Sequence, residues 1–128
     1  MKLLVDTNAY SELAKGNAHV RELLENADEI VMSTVVMGEL YAGFRLGSRS
    51  SEKSRQLREF LDTPGVEVTA PGAIIAERYG ELVRVLRQNG TPIPTNDMWI
   101  AATALETASR VVTFDSHYQH VPGLMVAL

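Results

Sequence analysis

Two acidic residues follow short apolar runs that are typical of buried strands. Asp6 comes directly after residues 3–5, and Asp115 ends the run 110–114. The carboxyl ends of parallel strands meet at one edge of a sheet, and in open α/β folds ligands bind at that edge. Both residues are therefore candidate site residues by position. For Asp6 an alternative remains open, because the same carboxylate could merely cap the helix that follows.

A third acid, Glu39, lies within a predicted helix that is capped by Ser33 or Thr34 and ends near Leu46. At helical spacing it shares a face with apolar and small side chains, which we expect to face the core. A carboxylate on such a face is costly unless it binds a metal ion or is paired. A buried ion pair with an arginine is thus the competing interpretation. The residues of this face are Val35, Val36, Ala42, Gly43 and Leu46.

The fourth acid, Asp97, is placed at the start of another predicted helix, with Thr95 or Asn96 as its cap. It heads a face of small residues, where a helix can pack tightly against a sheet. An acid in a first turn is also favoured by the helix macrodipole without any further role. That face continues with Ala101, Ala104, Leu105 and Ala108.

Together the four carboxylates would repel each other in one cleft, and the sequence places no lysine among them. A hard divalent cation with oxygen ligands would resolve the repulsion, and Mg²⁺ or Mn²⁺ fits that description. Such an ion can bind a phosphodiester, activate a water and stabilise the leaving oxygen. Thr7, Asn8 and Thr113 are near enough in sequence to orient a carboxylate or a bound water.

The elements that must position these acids alternate between strands and helices, which predicts an α/β fold with a mostly parallel sheet and helices on both faces. Residues 1–128 suit a single domain. The predicted strands are 3–5, 29–32, 66–69, 110–114 and 124–127, and the predicted helices are 9–15, 19–27, 34–46, 50–62, 71–89 and a last one from 97, with 116–118 as a loop.

Composition excludes several classes of protein. The 128 residues include 45% hydrophobic and 22% charged residues, which is typical of a globular domain. No apolar run approaches a membrane span, no signal peptide precedes the first strand, and cysteine is absent, so we expect a cytoplasmic protein. Three scattered histidines make a zinc site an unfavoured interpretation. The net charge of −4 hides a basic cluster, Arg45, Arg49, Lys53, Arg55 and Arg58.

The joint pattern resembles the PIN-domain ribonucleases, and within them the VapC toxins of toxin–antitoxin pairs. The resemblance covers essentially the whole chain in order, and four motifs carry it. They are residues 4–8 (Leu-Val-Asp-Thr-Asn), Ser33 with 38–43 (Gly-Glu-Leu-Tyr-Ala-Gly), 96–104 (Asn-Asp-Met-Trp-Ile-Ala-Ala-Thr-Ala) and 112–118 (Val-Thr-Phe-Asp-Ser-His-Tyr). One departure is Tyr118, where the family commonly has Phe, and we expect it to affect packing.

This resemblance implies a three-layer PIN-like fold with a central sheet of four to five short strands. It implies a Mg²⁺- or Mn²⁺-dependent endoribonuclease that leaves a 5′-phosphate and a 3′-hydroxyl. Asp6, Glu39 and Asp97 would be the central acids and Asp115 a more variable fourth, with Asp6 and Asp97 as metal ligands.

The same resemblance implies biological partners. The RNA substrate would be transfer or ribosomal RNA, its cleavage would inhibit translation, and no DNA substrate is expected. A homodimer and a VapB-type antitoxin are implied, and the antitoxin would border the basic region 45–58. Trp99, Tyr41 and Tyr118 are candidates for stacking on RNA bases, although each also suits a core or a dimer interface.

Three other interpretations can be compared with this one. An aspartyl-phosphate phosphatase needs a second carboxylate two residues after the first, where this chain has Asn8. A phosphoacceptor receiver domain needs a lysine after the late strand, where Asp115 is followed by Ser116. A catalytically idle PIN module that works by binding RNA or a partner stays open.

Overall fold

The fold is described by a computed structural model that covers residues 1–128. The strands are β1 (Lys2–Val5), β2 (Glu29–Ser33), β3 (Val66–Thr69), β4 (Arg110–Val112) and β5 (Val126–Ala127). The helices are α1 (Thr7–Ala14), α2 (Ala18–Glu25), α3 (Thr34–Leu46), α4 (Ser50–Leu61), α5 (Ala73–Gln88) and α6 (Thr95–Glu106), with a 3₁₀ helix at Ser116–His120.

The five strands form one sheet in the order β3-β2-β1-β4-β5, and every pairing is parallel. β1 lies at the centre, with Leu4 opposite Val31 on one side and opposite Val111 on the other. All three residues are buried, as expected for strands covered on both faces. The predicted α/β fold with a short-stranded parallel sheet is confirmed.

The direction of winding reverses between β1 and β4. From β1 the chain proceeds outward to β2 and β3, and it then returns across the sheet to β4 and β5. Because crossovers are right-handed, this reversal puts α1 to α4 on one face and α5 and α6 on the other. In doubly wound sheets a crevice opens at such a reversal, beyond the carboxyl ends of the strands. None of the helices is both long and apolar enough to cross a lipid bilayer.

Three helix starts differ by two residues from the sequence prediction, and one of them is that of α5, which begins at Ala73 rather than at residue 71. α6 begins at Thr95 rather than Asp97, and the residue at its cap position is Pro94, which makes no side-chain capping bond. The prediction of Thr95 or Asn96 as the cap was therefore wrong. Pro94 occupies the cap position with an extended backbone, so Thr95 and Asn96 both lie inside the helix. α1 begins at Thr7, two residues earlier than predicted, because the Asp6 side chain caps it.

The buried face of α3 is also displaced from its predicted line. Val36 and Leu40 are the buried residues of this helix, whereas Leu46 is 90% exposed. Glu39 lies about a quarter-turn from that buried line, since successive residues are about 100° apart. The prediction that Glu39 shares a core-facing stripe with Leu46 was wrong. The sequence prediction extended the buried face into the last turn of the helix, where the side chain of Leu46 is exposed.

The loop predicted at 116–118 is instead the start of the 3₁₀ helix. The Asp115 carboxylate accepts a hydrogen bond from the backbone N–H of His117, at 2.9 Å, and so caps this short helix. Strand β4 ends at Val112, two residues before the predicted limit, and Phe114 is exposed. The chain therefore turns sharply just where the fourth acid stands.

Candidate active site

All four predicted acids line one small cleft of about 110 Å³ at the carboxyl ends of β1 and β4. The cleft lies at the reversal of winding, where a ligand site is expected in this kind of sheet. Thr7 and Asn8, two of the three residues predicted to assist the acids, line it as well. The complete lining is Asp6, Thr7, Asn8, Glu39, Asp97, Ile100, Asp115 and Tyr118.

Asp6 lies at the junction of β1 and α1 and is only 4% exposed. Its backbone N–H continues the sheet by bonding the carbonyl of Val112, at 3.2 Å. Its Oδ1 accepts a bond of 2.8 Å from the N–H of Ala9, and the hydroxyl of Thr113 also bonds the carboxylate. The two interpretations left open for Asp6 are thus both correct as geometry, because one carboxylate caps α1 and faces the cleft.

Burial raises the pKa of Asp6 above its ordinary value, because desolvation disfavours the charged form. The bonds from Thr113 and Ala9 lower this pKa, while the negative charges of Asp97 and Asp115 raise it again. The net direction is upward. The protein itself therefore stabilises the Asp6 carboxylate incompletely, and a cation in the cleft would supply what is missing.

Glu39 is held by two side chains from other elements. Its Oε1 accepts a bond of 2.6 Å from the Thr7 hydroxyl, and its Oε2 accepts one of 3.3 Å from the amide of Asn96. No arginine or lysine lies within ion-pair distance of Glu39. The alternative of a buried ion pair is wrong for this residue.

Asp97 and Asp115 share a histidine. The Nδ1 atom of His117 lies 3.2 Å from Oδ2 of Asp97 and 3.1 Å from Oδ1 of Asp115. The buried hydroxyl of Tyr118 donates to Oδ1 of Asp97, at 3.2 Å. Thr113 contributes in a second way, since its hydroxyl accepts the N–H of Asp115 at 2.9 Å.

Tyr118 differs from its prediction. We expected this side chain to affect packing or RNA stacking, yet its hydroxyl is part of the acidic cluster. Its pKa is raised above the ordinary tyrosine value, first by burial and then by the neighbouring carboxylates, so the hydroxyl stays a donor at neutral pH. Trp99, another candidate for stacking on RNA, already stacks on Tyr79 with ring centroids 4.0 Å apart.

Sequence reasoning missed two contributors, His117 and Asn96, although both lie in motifs that it singled out. Each directly neighbours or nearly neighbours one of the acids in sequence. The signal available was position alone, since a side chain two residues after a strand-ending Asp can turn back over it in a tight turn.

The cluster could hold a metal ion. The oxygen-rich lining contains no lysine or arginine, and the one group of three potential ligand atoms within 4.8 Å of each other joins Asp97, Asp115 and His117. Carboxylates in this number, with no lysine or arginine beside them, fit a divalent cation better than any other neutraliser.

Fold and cleft agree with a known class of protein. The sequence model of the PIN domain matches residues 3–124, which is nearly the whole chain. The chain belongs to the PIN-domain family.

Within this family, the sequence is similar to ribonuclease VapC1 of Haemophilus influenzae, with 34% identity over 97% of this chain and 95% of that protein. It is 30% identical to the plasmid stability protein StbB of Pseudomonas syringae, over 97% and 95% of the two chains. The predicted resemblance to VapC proteins is confirmed.

Solved structures agree with these relatives. A chain of VapBC2 from Rickettsia felis, bound to a DNA fragment from its promoter, superimposes with a TM-score of 0.88 at 26% identity, covering 99% of this chain and 98% of that one. A chain of VapBC-1 from H. influenzae gives a TM-score of 0.87 at 26% identity, with 99% and 97% covered.

Proposed function

We propose that this chain is a metal-dependent endoribonuclease, the toxin of a toxin–antitoxin pair, and that it inhibits translation by cutting transfer or ribosomal RNA. One observation carries the proposal: four carboxylates from distant parts of the chain line one cleft that contains no lysine or arginine. Its relatives named as VapC ribonucleases support the choice of RNA as the substrate.

In this proposal Asp6 and Asp97 hold the ion, which is Mg²⁺ or Mn²⁺. When bound there, such an ion would offset the negative charge of the phosphodiester and lower the pKa of a water molecule. The hydrogen bonds from Ala9 and Thr113 keep the Asp6 carboxylate turned into the cleft. Asp115 adds negative charge close to Asp97 and caps the 3₁₀ helix that follows it.

Glu39 is suited to accept a proton. Thr7 and Asn96 fix both of its oxygens, yet the side chain is only half-buried and so can reach water. The water attacks phosphorus, the bond from phosphorus to the 3′-oxygen breaks, and the leaving oxygen takes up a proton. The products are a 5′-phosphate and a 3′-hydroxyl.

The partners are proposed on a second surface. A groove of about 430 Å³ runs between α1, α3 and α4, and Lys15, Arg49 and Lys53 line it together with Tyr10 and Phe44. Two of these cations belong to the basic region expected to border an antitoxin. The similar chains of known structure come from VapBC assemblies. A VapB-type antitoxin and a homodimer are therefore part of the proposal, as are a single functional domain, 1–128, and a cytoplasmic location.

An RNA cleavage assay tests the proposed function. Purified protein is incubated with transfer and ribosomal RNA in Mg²⁺ or Mn²⁺, with and without a chelator, and the ends of the fragments are identified by ligation. We expect cleavage that requires the metal and leaves 5′-phosphates. Undiminished cleavage in chelator overturns the metal role. RNA binding without any product would instead favour the catalytically idle module.

A further inference from the structure

We infer that His117 is a metal ligand, and that with Asp97 and Asp115 it makes the cleft prefer a divalent transition-metal ion such as Co²⁺ or Mn²⁺ over Mg²⁺. This inference rests on the proposed metal-dependent function and adds a nitrogen ligand to a site otherwise built from oxygen.

The position of one nitrogen atom carries the argument. Nδ1 of His117 lies 3.2 Å from a carboxylate oxygen of Asp97 and 3.1 Å from one of Asp115. A neutral imidazole has at most one hydrogen on this atom, so it cannot make two linear hydrogen bonds there. With ligand bonds of about 2.1 Å, adjacent atoms around an octahedral ion lie about 3 Å apart, which is the separation seen here. An ion in place of the hydrogen would satisfy all three groups, with the ring hydrogen on Nε2.

Charge in the cleft points the same way. Neither Asp97 nor Asp115 forms an ion pair with a lysine or an arginine, and the His117 imidazole is the only basic side chain within 4 Å of their carboxylates. Asp6, 4% exposed, faces the same cleft and has hydrogen-bond donors but no cation. A single histidine cannot balance these carboxylates, so the cluster retains a demand for positive charge.

The nature of the third ligand then decides which ion is preferred. Mg²⁺ takes oxygen ligands almost exclusively, whereas imidazole nitrogen strengthens binding of the first-row transition metals in the order from Mn²⁺ to Cu²⁺. Zinc sites built from His and Asp follow the same rule. A nitrogen ligand therefore leaves the affinity for Mg²⁺ nearly unchanged and raises the affinity for Co²⁺ more than that for Mn²⁺.

The test compares His117→Asn with His120→Asn. Both residues belong to the same 3₁₀ helix, but His120 is exposed and lies outside the cluster, so it is a matched control. The side chain of His117 is 45% exposed, and its backbone N–H, which donates to the capping carboxylate of Asp115, survives the substitution. Dissociation constants of Mg²⁺, Mn²⁺ and Co²⁺ are measured by calorimetry, and the Co²⁺ absorption spectrum reports the change of ligand without any RNA present.

We expect His117→Asn to weaken Co²⁺ binding at least about tenfold, to change Mg²⁺ binding less than about threefold and to shift the Co²⁺ spectrum, while His120→Asn changes nothing. Equal weakening of Mg²⁺ and Co²⁺ would overturn the inference, because it would make His117 a positioning residue for Asp97. An unchanged Co²⁺ spectrum, or equal loss in both variants, would overturn it too. If the unsubstituted protein binds none of the ions, the proposed metal-dependent function itself fails.

Discussion

The hydroxyl of Thr7 donates a 2.6 Å hydrogen bond to the carboxylate of Glu39, which stands 32 positions later in the chain. The first residue of α1 thereby fixes an acid on α3. The contact joins two of the four motifs, and it gives Thr7 a role that concerns the orientation of Glu39 rather than helix formation. Together with the bond from Asn96, it restricts the orientation of the Glu39 carboxylate at the cleft.

Replacing Thr7 with Val should therefore reduce activity without unfolding the protein. Val keeps the branched shape and removes the donor, so Glu39 loses its shortest bond. We expect RNA cleavage to fall about 10- to 100-fold, a range typical of hydrogen-bond partners that orient the functional side chains of a metal site. Thr7→Ser, which keeps the hydroxyl, should retain most of the activity. Equal losses in the two variants would show that packing, rather than the hydrogen bond, accounts for the effect.

Neutralising Glu39 or Asp97 should remove activity more completely. Both Glu39→Gln and Asp97→Asn preserve the shape of the side chain and remove its charge. The first removes the proposed proton acceptor and the second removes a proposed metal ligand, and either loss should raise the activation barrier by several kcal/mol. About 3 kcal/mol corresponds to a loss of more than 100-fold in kcat/KM. Steady-state cleavage of RNA measures it, with melting temperature as the fold control. Glu25→Gln, an exposed acid on α2, should behave like the unsubstituted protein.

Asp6→Asn should stabilise the protein in chelator. The amide oxygen can still cap α1, since Asn and Asp are equally good caps, and the buried charge is gone. Because the folded-state pKa of Asp6 is raised above 3.8, the folded state binds more protons than the unfolded state between those two values. Stability of the unsubstituted protein therefore falls as the pH rises through that window.

The melting temperature difference between Asp6→Asn and the unsubstituted protein should accordingly be small near pH 3.8 and grow toward neutral pH. Thermal unfolding in chelator across this range measures it. A variant that melts lower at pH 7 would contradict the assignment, because it would mean that the Asp6 charge has a stabilising partner in the fold.

Tyr118→Phe should separate packing from polar contact at the cluster. The ring is buried, so Phe fills the same space, but Asp97 loses a donor. A lost hydrogen bond of this kind costs about 1 kcal/mol. For a domain of this size that is a fall in melting temperature of about 3–5 °C. An unchanged melting temperature would indicate that the hydroxyl bond contributes nothing to stability.

A pair of leucines on α3 tests the corrected buried face. Leu46→Ser should change the free energy of unfolding by less than about 0.5 kcal/mol, because the side chain is 90% exposed. Leu40→Ala, on the buried line of the same helix, should cost about 2–5 kcal/mol. Urea unfolding of both variants checks this. A large loss in Leu46→Ser would mean that this residue is covered, as at a subunit interface.

Much of the fold was predictable because strands and helices have different hydrophobic periods. The apolar run before Asp6 and the run before Asp115 could only be buried strands, and both pair in the centre of the sheet. Helix ends were harder. Pro94 stands at the cap position of α6 without any side-chain capping bond. Leu46 has the right spacing for a core residue, yet its side chain is exposed.

The site was predictable to a different degree. The acids could be identified from the sequence, because four carboxylates with no lysine or arginine among them have few physical explanations. Their hydrogen-bond partners could not, since a Thr, an Asn or a His near an acid in sequence has many conformations open to it. Whether Nδ1 of His117 turns toward Asp97 depends on a tight turn whose dihedral angles no local pattern specifies.

The central place of β1 between β2 and β4 has a consequence for synthesis on the ribosome. After it is made, β1 must wait for Arg110–Val112, which follows much later in the chain, before its second edge is closed. Asp97 and Asp115 emerge equally late. A nascent chain thus acquires its complete set of acids only after Asp115 has been made, and a fragment that ends before Asp97 would carry Asp6 and Glu39 without the other two acids of the cleft.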